Sequence, residues 1–310
     1  MGRKRVWVIV QILFVLAVLW FAGRALAGQW AGVRTLLANA HPNYGLLLLS
    51  YAPVLLAYAV LVQVWRGMLG AWGEAGRLSI WQATRIWFVS NMGRYVPGKV
   101  WQIATMGIMA QRRGVSPVAA AGSSLVVNLA NVASGFVVVL ATGAAVFRSF
   151  ANSGKATGIL AAVILTAGLL LLPTALTWAA PLVSRVTRQR VVLPHLPATA
   201  VWLAAIGTAV AWMLYGIAFR LFSIAVVHQP AGATSLYIAS YAGSYLVGYL
   251  ALFAPGGVVV REAMLVTSLM NLGLLTAPEA WLVALASRVW LTVVEAIPGL
   301  LFLLTPGERS

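Results

Sequence analysis

Two short segments carry the residue types best suited to holding a polar ligand within an otherwise apolar chain. The first runs Asn91-Met92-Gly93-Arg94-Tyr95-Val96-Pro97-Gly98-Lys99-Val100-Trp101-Gln102, and the second Phe253-Ala254-Pro255-Gly256-Gly257-Val258-Val259-Val260-Arg261-Glu262. Proline lacks a backbone donor and glycine admits conformations closed to other residues, so a helix cannot easily run through Pro97-Gly98 or Pro255-Gly256-Gly257. A chain that bends there and starts a new helix leaves free amides at the new N-terminus, and these attract an anion. Lys99 stands beside the first set, and Arg261-Glu262 follows the second by about one turn. In transporters, matched Gly/Pro interruptions in the two halves of the chain point to a substrate site near the bilayer midplane. The competing reading is a pair of proline-kinked spans packed tightly through glycine. Two breaks at matching places, each beside cations, favour the site. The candidate substrate-binding residues are therefore Asn91, Arg94, Pro97, Gly98, Lys99 and Gln102 at the first break. Pro255, Gly256, Gly257, Arg261 and Glu262 form the second group, with Arg288 from the last apolar run.

Ionisable side chains at membrane depth are costly and mark functional candidates. Glu262 is the carboxylate nearest a break; it either neutralises Arg261 or Arg288 or carries a proton, and neutralisation is the favoured reading. Arg288 and Glu295 lie seven residues apart on one helical face, where a structural pairing between helices competes with a ligand role. Ser124, Asn128, Asn131 and Gly135 also share one face; they line a polar path or bond neighbouring helices, the second being favoured. The three histidines, His41, His195 and His228, have no metal-ligand spacing. Tryptophans 30, 65, 72, 81, 101 and 281 flank apolar runs and read as an interfacial aromatic belt. Cysteine and aspartate are absent from the sequence. No catalytic constellation, metal site or cofactor is expected.

These residues sit in a chain that is 62% hydrophobic and 8% charged, where soluble domains carry about 25% charge. Lipid is the expected solvent, and helices satisfying their own backbone groups are the expected structure. The net charge of +16 is read as loop arginines and lysines that meet anionic headgroups, not as a nucleic-acid surface.

The expected fold is an all-α integral membrane protein, one membrane domain over 1–310, with six full spans and two broken or re-entrant segments. The spans lie near 6–27, 45–65, 118–146, 157–179, 199–227 and 278–304, and the broken segments at 79–112 and 235–273. Ser116-Pro117 and Thr276-Ala277-Pro278-Glu279 mark two helix starts. Residues 1–44 form a retained N-terminal span and outer loop, 45–146 a first unit, 147–198 a connecting span and basic loop, and 199–304 a second unit of inverted orientation. With the N-terminus cytoplasmic, eleven basic residues fall on the inner face and four on the outer, a clear bias in a cell (plasma or inner) membrane. Inverted units of this kind support alternating access.

Arg94-Tyr95-Val96-Pro97-Gly98-Lys99-Val100-Trp101, followed by Arg112-Arg113-Gly114-Val115-Ser116, resembles the first signature of the lysylphosphatidylglycerol synthase transmembrane-region, or flippase-like domain, family. Pro255-Gly256-Gly257-Val258-Val259-Val260-Arg261-Glu262-Ala263 resembles its second signature, and Ala286-Ser287-Arg288 the arginine early in its last span. The resemblance covers roughly 45–304 and implies a multi-pass membrane domain, in some members fused to a soluble aminoacyl transferase whose lipid product it moves between leaflets. Gln102, Asn128 and Asn131 stand where many relatives carry charge, and no soluble transferase accompanies them here. The expected function is translocation of a phosphate-bearing lipid, a phospholipid or polyprenyl phosphate, with its headgroup between the two breaks. Membrane lipids are the expected partners, with a lipid-modifying enzyme possible. The alternatives are a membrane transferase acting on a lipid-linked sugar or amino acid, and a non-transporting scaffold for a lipid-modifying enzyme.

Overall fold

The computed structural model describes residues 41–92, 100–143, 196–227, 231–250 and 259–304, together with Thr35 and Gly168. The described chain is all-helical, with eight α-helices and no strand. In order these are α1 (Tyr44–Leu69), α2 (Ile80–Asn91), α3 (Val100–Gln111), α4 (Pro117–Gly143), α5 (Ala198–Val227), α6 (Thr234–Leu250), α7 (Val260–Asn271) and α8 (Ala277–Leu304). A wide π turn, Gly70–Glu74, extends α1.

Helices α1, α4, α5 and α8 are long and apolar enough to cross a bilayer. They coincide with the spans expected at 45–65, 118–146, 199–227 and 278–304. The other two expected spans, 6–27 and 157–179, lie outside the described residues, so the number of described helices of crossing length is four.

The helix ends follow from local chemistry. Asn43 caps α1 by accepting from the Leu46 amide at 3.0 Å. Ser79 and Gln82 form a reciprocal capping box at α2. Ser116 caps α4, accepting from the Ala119 amide at 3.2 Å, with Pro117 in the first helical position. At α8 the amide and hydroxyl of Thr276 both donate to Glu279 Oε2, at 2.9 and 2.6 Å.

The expected broken segments fold as pairs of short helices. Helices α2, α3 and α7 have 12 residues each. That is about 18 Å of rise, short of a hydrocarbon core of about 30 Å. Each pair folds back on itself. In the second pair Gly248 packs against Arg261, Ser268 Oγ donates to Ser240 Oγ at 2.8 Å, and the Ala231 amide donates to the Leu274 carbonyl at 3.3 Å. These contacts run from the tip of an antiparallel hairpin to its base. In the first pair Gln102 Nε2 donates to Asn91 Oδ1 at 2.5 Å near the tip, and the Ser116 amide donates to Glu74 Oε1 at 2.8 Å at the base. The Pro-Gly stretches joining the arms, within 93–99 and 251–258, lie outside the described residues.

The two bases lie at opposite ends of the bundle because α1 and α5 run antiparallel. The Asn43 amide, before α1, donates to the Ala225 carbonyl near the end of α5 at 2.9 Å, and Gly207 near the start of α5 receives Val64 late in α1. Helix α8 runs beside α1 in the same direction, joined by Trp290 Nε1 donating to Ser50 Oγ at 2.9 Å and Tyr58 Oη to Glu295 Oε1 at 2.7 Å. Apolar packing falls into two clusters. One holds Trp65, Trp87, Met106 and Val127, and the other holds Tyr58, Trp212, Tyr241 and Leu291.

Candidate functional site

A cavity of about 170 Å³ opens where the two apolar clusters meet. From the first half of the chain, Tyr58, Trp65, Trp87 and Gln102 line it, with Ser124, Asn128 and Asn131 from α4. From the second half come Trp212 and Tyr215 on α5, Tyr241, Tyr245 and Tyr249 on α6, Arg261 on α7 and Glu295 on α8. Every described helix thus places a polar or aromatic group at the wall, α2 through Trp87.

The wall is built by regular spacing. Tyr241, Tyr245 and Tyr249 recur every four residues and so share one face of α6. Trp212 meets Tyr245 edge-on at 5.6 Å, Tyr58 meets Tyr215 at 5.9 Å, and Tyr215 leans on Tyr241 at 6.3 Å. On α4, Asn128 donates to the Ser124 carbonyl one turn back at 2.8 Å, which fixes the amide against the cavity. Gly135, the fourth member of that stripe, instead receives the Trp212 ring. The stripe thus lines the cavity through Ser124, Asn128 and Asn131 and also bonds neighbouring helices, Ser124 Oγ meeting Met106 Sδ at 2.9 Å and the Asn131 carbonyl accepting from Trp212 Nε1 at 2.8 Å.

Charge is concentrated at one side. The Arg261 side chain is 2% exposed and Glu262 7%. Their Nη1 and Oε1 atoms are 3.0 Å apart, and the same carboxylate oxygen lies 3.6 Å from Arg288 Nη1. Glu262 Oε2 accepts from the Val259 amide at 2.7 Å, so one carboxylate closes the start of α7 and neutralises two arginines. That arrangement holds Val259 at φ +71°, an uncommon conformation for a β-branched residue. Arg261 also lies over the rings of Tyr241 and Tyr245, at 5.4 and 5.6 Å, and reaches Ser287 Oγ at 3.4 Å. Cation–π contact and ion pairing together offset the desolvation of a buried guanidinium.

No protein-family model matches the chain, and no curated protein matches it.

Of the residues expected to bind substrate, the structure gathers Gln102 and Arg261 at the cavity wall. Asn91 touches Gln102 from behind, and Glu262 with Arg288 forms the ion cluster beside Arg261. Arg94, Pro97, Gly98, Lys99, Pro255, Gly256 and Gly257 lie outside the described residues. Glu295 reaches Tyr58 on α1, and Arg288 turns to Glu262, so these two residues of one face serve different partners.

Two members of the expected aromatic belt are corrected. Trp65 is fully buried, lines the cavity and donates to Ser123 Oγ at 3.1 Å. Trp72 is buried against Gly122. Each sits near a helix end in sequence, yet faces the bundle because a second helix covers that end. Trp81 is exposed, as a belt residue would be. Sequence reasoning passed over Tyr58 and the α6 tyrosines. Their signal was the repeat of tyrosine every four residues from Tyr237 to Tyr249, and the seven-residue step from Tyr58 to Trp65.

Proposed function

We propose that this protein is a membrane translocator of a phosphate-bearing lipid, a phospholipid or polyprenyl phosphate, and that it belongs with the flippase-like domain proteins its two signatures resemble. The observation that carries the reading is the cavity shared between the halves of the chain. Its wall takes residues from both hairpins and all four long helices. A small change in the angle between the halves would alter which end of the bundle it faces. The antiparallel course of α1 and α5 and the hairpin bases at opposite ends support an inverted repeat, an arrangement suited to alternating access. The remaining spans expected at 6–27 and 157–179, a cytoplasmic N-terminus and a cell-membrane location complete this reading.

In the mechanism so proposed, the acyl or prenyl chains stay in lipid while the headgroup crosses through the cavity. Arg94, Lys99 and the free amides of the two breaks hold phosphate. Arg261 and Arg288, already joined to Glu262, keep the second hairpin tip electropositive without being bare charges. The test is leaflet accessibility of fluorescent phospholipids and prenyl phosphates in proteoliposomes. The purified chain is expected to raise the transbilayer rate at least tenfold over empty vesicles. Lys99→Gln is expected to return most of that gain, since a charged hydrogen bond contributes about 1.5–3 kcal/mol. No acceleration for any phosphate lipid tested would end the proposal.

A further inference from the structure

The cavity interior has an unusual balance of groups for a site thought to grip phosphate. Among the described residues that line or touch it, Arg261 and Arg288 are matched by Glu262 and Glu295. The sum is zero formal charge. An anion would meet Glu295 at the wall and Glu262 behind Arg261, with no surplus cation among the described residues, in a medium where charges interact strongly. An ammonium group fares no better. The two ring faces best placed to attract it, Tyr241 and Tyr245, already hold the Arg261 guanidinium. Like charge at that distance would be repelled.

What the wall does offer is aromatic surface interleaved with neutral hydrogen-bonding groups. Gln102, Asn128 and Asn131 provide amides, and Tyr58, Tyr215 and Tyr245 provide hydroxyl-bearing rings. Trp87, 8% exposed, lines the same cavity, and its indole N–H has no hydrogen-bond acceptor among the described residues; the same holds for Arg261 Nε. Buried donors without acceptors are costly, and a ligand oxygen would relieve them. The complement of such a wall is a neutral ring with hydroxyls at its rim, which both donate and accept, and C–H faces that stack on aromatics. A volume of about 170 Å³ suits one such ring.

We infer that this cavity binds a sugar, the neutral polyhydroxylated part of a lipid headgroup. Resting on the translocator reading, the inference divides the headgroup. The sugar occupies the cavity, and the phosphate lies outside it. A phospholipid whose headgroup is charged throughout is then a poor substrate, and a glycosyl phosphate on a long lipid a good one.

Binding tests this apart from transport. The full chain, purified in a detergent without a sugar headgroup, is titrated while tryptophan emission is followed, because Trp65, Trp87 and Trp212 border the cavity. The probes are the methyl glycosides of glucose, galactose, mannose and N-acetylglucosamine, a short-chain prenyl phosphate glucose, phosphocholine and inorganic phosphate. At least one glycoside is expected to shift the emission at a concentration tenfold below phosphocholine and inorganic phosphate. The lipid-linked sugar is expected to act at least tenfold lower than methyl glucoside. Asn128→Leu and Asn131→Leu are expected to weaken glycoside binding at least fivefold, judged on whichever elutes as the parent does in size exclusion. Equal or tighter binding of inorganic phosphate or phosphocholine, or no response to any glycoside, overturns the inference. Equal affinity for free and lipid-linked sugar overturns its lipid part. Sugar binding without lipid movement in the vesicle assay would retire the translocator reading and leave the cavity's ligand class standing.

Discussion

Glu262 carries more of the site than any other side chain. It receives Arg261 at 3.0 Å and Arg288 at 3.6 Å on one oxygen, and the Val259 amide at 2.7 Å on the other. Removing one partner of a buried ion pair leaves an uncompensated charge, and the loss is typically about 3–5 kcal/mol. Glu262→Gln is therefore expected to lower stability by that order, read as earlier thermal unfolding in detergent. Arg288 is a different case. Its side chain is 32% exposed, so screening discounts the pair, and Arg288→Gln is expected to cost less than about 1 kcal/mol. A Glu262→Gln loss no larger than that of Arg288→Gln would mean that the carboxylate is not the hub. The cluster was legible in the sequence because charge in an apolar run needs a partner, and the neighbours Arg261 and Glu262 supplied one. The aromatic wall was not legible in the same way. Tryptophan beside an apolar run reads as interfacial unless the covering helix is known, and Trp65 is covered by α4 through Ser123.

At the level of elements, the two hairpins are held by close contact at small residues. A methyl added at Gly248 would lie 2.8 Å from Arg261 Cβ and 3.3 Å from its Cα, so the backbone of α7 would have to move. Overpacking of that kind costs about 1–3 kcal/mol. Gly248→Ala is expected to destabilise by this amount and to loosen Arg261, while Gly107→Ala on α3, with no atom within 4 Å of the new methyl, is expected to gain up to about 1 kcal/mol from helix propensity. Thermal unfolding of the two variants side by side checks the contrast, and equal shifts would show that the hairpin arms are not in contact at Gly248. The breaks themselves were visible in Pro97-Gly98 and Pro255-Gly256-Gly257, since proline and glycine end helices by local rules. That each segment returns to its own starting end is not written in local sequence. It depends on pairs such as Ser240 with Ser268 and Glu74 with Ser116, far apart in sequence, which no local spacing encodes.

For the whole molecule, the arrangement of the halves decides whether one cavity can serve two faces. The ends of α3 and α7, Gln111 and Asn271, hold equivalent places in the two hairpins, and both are exposed. The base of the first hairpin is tied to the end of α1 through Glu74 and Ser116, while the second is tied to the end of α5 through Arg220 and Thr234. Since α1 and α5 run antiparallel, these bases point to opposite ends of the bundle. The sequence has no cysteine, so single cysteines can be introduced without background. Gln111→Cys and Asn271→Cys are expected to react with a membrane-impermeant maleimide from opposite sides in oriented vesicles. Arg112 and Arg113 lie beside Gln111, and positively charged loops stay in the cytoplasm, so Gln111→Cys should label only from that side. Labelling of both from one side would mean that the hairpins enter together. The cavity would then face one leaflet in every state, and a rocking of the halves could not carry a headgroup across.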